Sequence, residues 1–278
     1  MVQSATDLSE QLRAFRQEHP LRHLDVGGTA WAFLSAGRGS RTVILLPGGG
    51  GGPEDMFTLV AGLEDEFRII AIGCPLAVTR TQDVIDGIAA IMDEEGVGKA
   101  CLLGHSLGGM FTECFMMKHP ERVGSMILAN IAHYGKLRTV LVGGLLPVMS
   151  HVPRWLLGLQ LRATFNRLLK GHPEKEFWLS YLCAEVSKAG ADGLSSRLRC
   201  MKDMLGRYPG GQADLRGWNG PVLILESDNE TGFTKNERFA LRRLYPNAEV
   251  HLFHGAGHLS AITRPQEFEE VVRRFLNR

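Results

Sequence analysis

Ser106 stands between two glycines in the stretch Gly104-His105-Ser106-Leu107-Gly108, with an apolar run before it and an amphipathic one after it. At a strand-to-helix junction this spacing makes a turn tight enough to push the serine hydroxyl out of the backbone, where it can act as a nucleophile. Gly104 and Gly108 are needed there because side chains would collide where strand and helix meet. The helix opening at Leu107 points its first amides towards the serine, which favours developing negative charge. The competing reading is a serine that only caps a helix.

A serine hydroxyl is a poor nucleophile at neutral pH and needs a base. Most of the ten histidines have structural explanations: His119 ends a helix before Pro120, His251 sits in a strand, and His105 belongs to the turn itself. His258 lies in the glycine loop "HGAGH", which lets a side chain reach another loop, and it is favoured over His254. An acid to orient the imidazole is expected after the preceding strand, where "LESDNETGF" offers Glu226, Asp228 and Glu230. Glu226 is close enough to that strand to remain part of it. Any of the three could instead be a solvated loop carboxylate.

The run "LLPGGGGGP" brings bare backbone amides close to a ligand. In an acyl-transfer site Gly49, supported by Gly48, would share with the Leu107 amide the task of holding an oxyanion. Its rivals are a surface turn and a phosphate loop, but no Gly-Lys-Ser/Thr follows as a phosphate loop requires.

These loops need a scaffold that brings them together. "LRHLDVGG" and "TAWAFLSAGRG" read as a hairpin. After them, short apolar runs ("TVILLP", "FRIIAIGCP", "KACLLGHS", "VGSMILAN", "PVLILES", "AEVHLFHG") alternate with helical periodicity. Strands without polar alternation are buried on both faces, so the expected fold is α/β, a doubly wound, mostly parallel sheet with helices on both sides. Ligands in such sheets bind at the carboxyl ends of the strands, where all three loops fall. Roughly 90 residues separate Asn130 from Pro221, far more than the dozen or so a crossover needs. Three helical patterns in that stretch suggest a cap. The expected organisation is core over 1–132, helical cap over 133–218, and core again over 219–278. Apolar side chains of the cap, among them Leu145, Leu146, Met149 and Trp155, are candidates for binding substrate together with His105, or for packing the cap on the sheet.

The chain has 278 residues, with Lys+Arg at 31 against Asp+Glu at 30. That overall balance does not point to nucleic acid or an anionic membrane. The five cysteines include no CxxC pair, so structural thiols in a reducing compartment are expected rather than disulfides or a metal site. The first fifteen residues lack a basic start and an apolar core, and prolines and charges interrupt the apolar stretch 140–161. Neither a secretory signal nor a spanning helix is expected, and a cytoplasmic location is the default.

The serine turn, the glycine loop, the cap position and the "GAGH" loop, in this order, resemble the α/β-hydrolase superfamily over nearly the whole chain. In that family the acid typically ends a G-x-x-D turn after its strand. Here Ser227 falls on the glycine and Glu230 on the acid, so the resemblance favours Glu230, with Asp228 as the alternative. The usual His-Gly before the oxyanion loop is replaced by Pro47-Gly48. "RVGSMILAN", "SSRLRCMKDML" and "LRRLYPNAEVHLF" are loosely similar to maspardin-like members, some of which are regarded as binding or adaptor proteins. The resemblance implies a serine hydrolase of a carboxylic ester or thioester with no metal or organic cofactor and a small-molecule substrate. The apolar cap side chains, where they do not simply pack the cap on the sheet, suggest that this substrate carries a hydrophobic acyl or alcohol moiety. Its rivals are a non-catalytic ligand-binding or scaffold protein, and an acyltransferase or C–C bond hydrolase using the same three residues.

Overall fold

The computed structural model describes residues 7–49, 51–133, 140, 144, 154–207 and 218–278, with the backbone alone at 154, 155, 157, 189 and 191. Its frame is one eight-stranded sheet: β1 (Arg22–Val26), β2 (Thr29–Ala36), β3 (Thr42–Leu46), β4 (Arg68–Gly73), β5 (Ala100–His105), β6 (Val123–Ala129), β7 (Val222–Ser227) and β8 (Glu249–Phe253). The spatial order is β1-β2-β4-β3-β5-β6-β7-β8. β1 and β2 form the antiparallel hairpin that their Gly-Gly turn predicts, and every pair from β4 to β8 is parallel.

Alternation along the apolar strands explains why both faces are covered. Ile44 of β3 packs with Trp31, Ile70 and Ile88 on one side, while its neighbours Val43 and Leu45 pack with Leu34, Ile69 and Phe268 on the other. Each is essentially fully buried, a gain of about 1.5–3 kcal/mol per side chain. α2 (Phe57–Leu63), α3 (Thr81–Glu94), α4 (Leu107–Lys118) and the closing helix Pro265–Leu276 supply the covering layers.

The polar residues before β1 contain a helix that the sequence patterning does not announce, α1 (Leu8–Glu18). Asp7 caps it by accepting from the Ser9 amide at 3.0 Å, and Leu12 and Phe15 are buried. Phe15 meets Phe57 of α2 at 5.9 Å between ring centroids. The spacing Leu8, Leu12, Phe15 was present, but charged neighbours hid so narrow a stripe.

Between β6 and β7 lie α5 (Arg154–Leu168) and α6 (Lys175–Arg207). The second and third helices expected there are the two halves of α6, separated by a kink at Gly190, whose φ of 60° and ψ of −171° no helical residue adopts. The two halves are anchored at different places. Trp178 sits 5.7 Å from the Phe57 ring, whereas Cys200, Met204 and Leu205 enter the core beside α3. Asp203 also accepts from the Thr81 amide at 2.8 Å, tying the second half to the start of α3. Among the described residues no helix is long and apolar enough to cross a membrane.

Candidate active site

β5 runs directly into α4 through Ser106, which has φ 52° and ψ −119°. A non-glycine residue held there carries strain on the order of 1–3 kcal/mol, so the surroundings must impose it. The imposing contact is steric. A Cβ on Gly108 would lie 2.1 Å from the Leu46 carbonyl oxygen, and one on Gly104 would lie 2.4 Å from the Gly109 Cα. Close approach of α4 to β3 and β5 leaves the serine backbone no relaxed alternative. Its amide donates to the Ala129 carbonyl at 2.9 Å, and its side chain makes no capping hydrogen bond. The helix-cap reading of Ser106 therefore does not describe the geometry.

The Ser106 hydroxyl faces His258, with Oγ 3.0 Å from Nε2. On the far side of the ring, Nδ1 lies 3.0 Å from both Oε1 and Oε2 of Glu230. Glu230 has a side chain only 1% exposed. Burial pushes its carboxyl up, but contacts with His258, the Gly232 amide and Asn130 outweigh this and hold it below the usual carboxylate range. An ionised Glu230 requires the proton on His258 Nδ1, which leaves Nε2 free to accept from the serine.

The other two candidate acids lie elsewhere. Asp228 accepts from the Gly255 amide and pairs with His254 at 2.9 Å, in the open, the His254 side chain being 83% exposed. Glu226 is buried in β7 between Arg238 and Arg242. The loop carrying Glu230 is short because a capping box closes it. Thr234 accepts from the Glu237 amide, and Glu237 accepts from the Thr234 amide, fixing where α7 (Lys235–Leu244) begins.

Asn130 was not singled out from sequence. It follows β6 with φ 48°, and its Nδ2 donates to Glu230 Oε2 at 3.1 Å and to the Gly257 carbonyl at 3.2 Å. Its Oδ1 accepts from the Ser260 hydroxyl at 2.5 Å. One side chain thus ties the acid loop to the histidine loop. An asparagine at the end of an apolar strand was the available signal. His105 has a similar bracing role, since its Nε2 donates to the His258 carbonyl at 2.8 Å. Burial, with His258 close by, lowers the His105 pKa to about 4, so this imidazole stays neutral.

The Leu107 amide opens α4 and so has no intrahelical acceptor. Gly49 packs beside it: a Cβ on Gly49 would lie 3.3 Å from Leu107 Cδ2. Gly48 sits beside the His105 ring, its would-be Cβ 3.2 Å from Nδ1. Arg197 of α6, 6% exposed, donates from Nε to the Gly49 carbonyl and from its terminal nitrogens to Cys74 and the Pro75 carbonyl. Four of its five N–H donors thus tie the glycine loop to the segment after β4.

These groups open into a cavity of about 340 Å³ between the strand ends and the inserted helices. Its walls are mostly apolar, with Leu161 and Phe165 from α5 and Leu194, Leu198 and Met201 from α6. Asp55 and Glu185 add carboxyl groups to the wall, and burial raises the Asp55 pKa to about 7. Leu145, Leu146 and Met149 lie outside the described residues, as does the Trp155 side chain. Among the described residues no three His, Cys, Asp or Glu side chains group as metal ligands.

A family model described as "Alpha/beta hydrolase family" matches residues 43–271. The chain is 24% identical over 264 residues to 2-hydroxy-6-oxononadienedioate/2-hydroxy-6-oxononatrienedioate hydrolase 1 of Dechloromonas aromatica (strain RCB), covering 88% of this chain and 89% of that one. It is 22% identical to the sn-1-specific diacylglycerol lipase ABHD11 of Mus musculus, over 68% of this chain and 62% of the lipase. Among solved structures, a hydrolase from Pseudomonas aeruginosa PA01 superposes with a TM-score of 0.78 at 19% identity, covering 93% of this chain and 99% of that one. At that identity the likeness speaks for the fold alone.

Proposed function

The chain belongs to the alpha/beta hydrolase family, and on that premise we propose that it cleaves a carboxylic ester or thioester through an acyl-enzyme on Ser106. The observation that carries this reading is the unbroken relay from Ser106 Oγ through His258 to a buried Glu230, each link 3.0 Å, opening into an apolar cavity.

Ser106 Oγ attacks the carbonyl carbon while His258 Nε2 takes the hydroxyl proton. Glu230 keeps the imidazole in the required tautomer and stabilises the imidazolium as it forms. The Leu107 and Gly49 amides receive the negative charge on the carbonyl oxygen, a contribution of about 3–4 kcal/mol per donor in comparable sites. His258 then protonates the leaving alcohol or thiol. A water, deprotonated by the same imidazole, attacks the acyl carbon and releases the acid and Ser106. The helices of 133–218 act as the cap, and their apolar walls select a hydrophobic acyl or alcohol group.

The dienedioate hydrolases among the relatives support a second reading, cleavage of a C–C bond with the same serine. The cavity argues for the ester. Glu185 stands in the wall, Asp55 is held partly protonated by burial, and four of the five N–H donors of Arg197 already go to Gly49, Cys74 and Pro75, which leaves little to bind a dianion. Turnover of short- and long-chain acyl esters, with product analysis, tests the proposal. Native protein should release acid and alcohol with a preference for the longer acyl chain, and Ser106→Ala should lose at least about 10³-fold in kcat. Native, folded protein without turnover of any ester would favour the ligand-binding alternative, and acyl transfer to an added alcohol would favour the transferase.

A further inference from the structure

The near-neutral charge of the whole chain conceals a local asymmetry. Residues 122–173 contain seven Lys or Arg and no Asp or Glu, leaving 24 basic against 30 acidic side chains elsewhere. α5 and the turn after it occupy the described end of this stretch. The helix has two apolar sides with different fates: Leu161 and Phe165 line the active-site cavity, while Leu156 and Leu159 are 43% and 58% exposed. At helical spacing Leu156, Leu159, Ala163 and Arg167 fall on one face, turned away from the cavity, and Lys170 lies in the turn that follows. Arg162, Arg167 and Lys170 are exposed, and among the described residues none of them has a carboxylate partner.

Two exposed leucines followed by three exposed cations without carboxylate partners offer an anionic lipid surface an apolar and an ionic contact side by side. A protein partner would be expected to meet some acidic or hydrogen-bonding complement, whereas anionic headgroups need only cations around an apolar centre. We propose that this face of α5 docks on an anionic lipid surface. The charge complementarity selects the lipid, and the leucines enter the headgroup–acyl boundary. Because the same helix walls the cavity on its other side, docking would bring the mouth of the proposed site beside its hydrophobic substrate. The delivery role rests on the ester-hydrolase reading; the docking does not.

The test is co-sedimentation with phosphatidylcholine vesicles made with and without phosphatidylglycerol. The native chain should bind the anionic vesicles, and salt should weaken the binding. Leu156→Ser/Leu159→Ser and Arg167→Gln/Lys170→Gln should each reduce partitioning by about tenfold or more. Unchanged melting temperature and unchanged turnover of a water-soluble ester would show that both variants remain folded and competent. Absence of binding to anionic vesicles, or binding that survives both double variants, overturns the proposal. So does self-association that is lost in Leu156→Ser/Leu159→Ser without vesicle binding, which would make a second copy the occupant. Vesicle binding is read without catalysis, so its failure is distinct from failure of the hydrolase reading.

Discussion

Two carboxylates two positions apart, Asp228 and Glu230, meet opposite fates, and their burial separates them. Glu230 is enclosed and shared between His258, Asn130 and the Gly232 amide, whereas Asp228 holds an exposed histidine on the rim. Removing the negative charge next to Nδ1 releases the tautomer that the serine needs. Glu230→Gln should therefore lower kcat/KM by about 10³-fold or more, while Asp228→Asn stays near the native value. Steady-state kinetics on one activated ester compares them, and the reverse ranking would remove Glu230 from the proposed mechanism. At this scale the sequence was legible where chemistry demands a residue type. Ser106 and His258 could be singled out, and the acid narrowed to a loop. The bracing contacts were not legible. Asn130 and the carbonyl contact of His105 depend on three loops converging, and no local pattern records that.

Elements make the turn, and the glycines show how tightly. Gly108→Ala should destabilise the chain by about 1–3 kcal/mol, because its methyl would strike the Leu46 and Pro47 carbonyls rather than a movable side chain. Gly98→Ala, with no atom within 4 Å of the added carbon, should stay within about 0.5 kcal/mol of native in the same urea titrations. Where α4 meets the end of α7, the Tyr245 hydroxyl donates to Glu113 at 2.7 Å, and burial raises the Glu113 pKa to about 7. The folded chain thus keeps a proton that the unfolded chain loses above its ordinary carboxyl pKa. Stability from this group is full at low pH, falls as pH rises from about 4.5 to 7, and is flat above, a loss of at most about 3 kcal/mol. Glu113→Gln removes that dependence, so its melting temperature relative to native should climb across this window. Strand and helix order was readable because each strand is a continuous apolar run. α1 is not legible because only Leu12 and Phe15 carry its buried stripe, whereas the two helical patterns within 175–207 are legible as two because Gly190 breaks the helical geometry between them.

At the scale of the whole molecule, a parallel sheet collects three loops at its carboxyl edge and the inserted helices close over them. α6 is anchored on both sides of Gly190, so the cavity walls are held from two directions. Narrowing that cavity with Met201→Trp should raise KM for long acyl esters while leaving short ones nearly unchanged, read from a chain-length series. All of this presupposes that Ser106 is a nucleophile. The most direct test is a fluorophosphonate probe followed by peptide mass mapping. The account predicts one adduct, on the peptide bearing Ser106, absent in Ser106→Ala and much slower in His258→Ala. A folded native chain that takes no probe, or an adduct that survives Ser106→Ala, would contradict it.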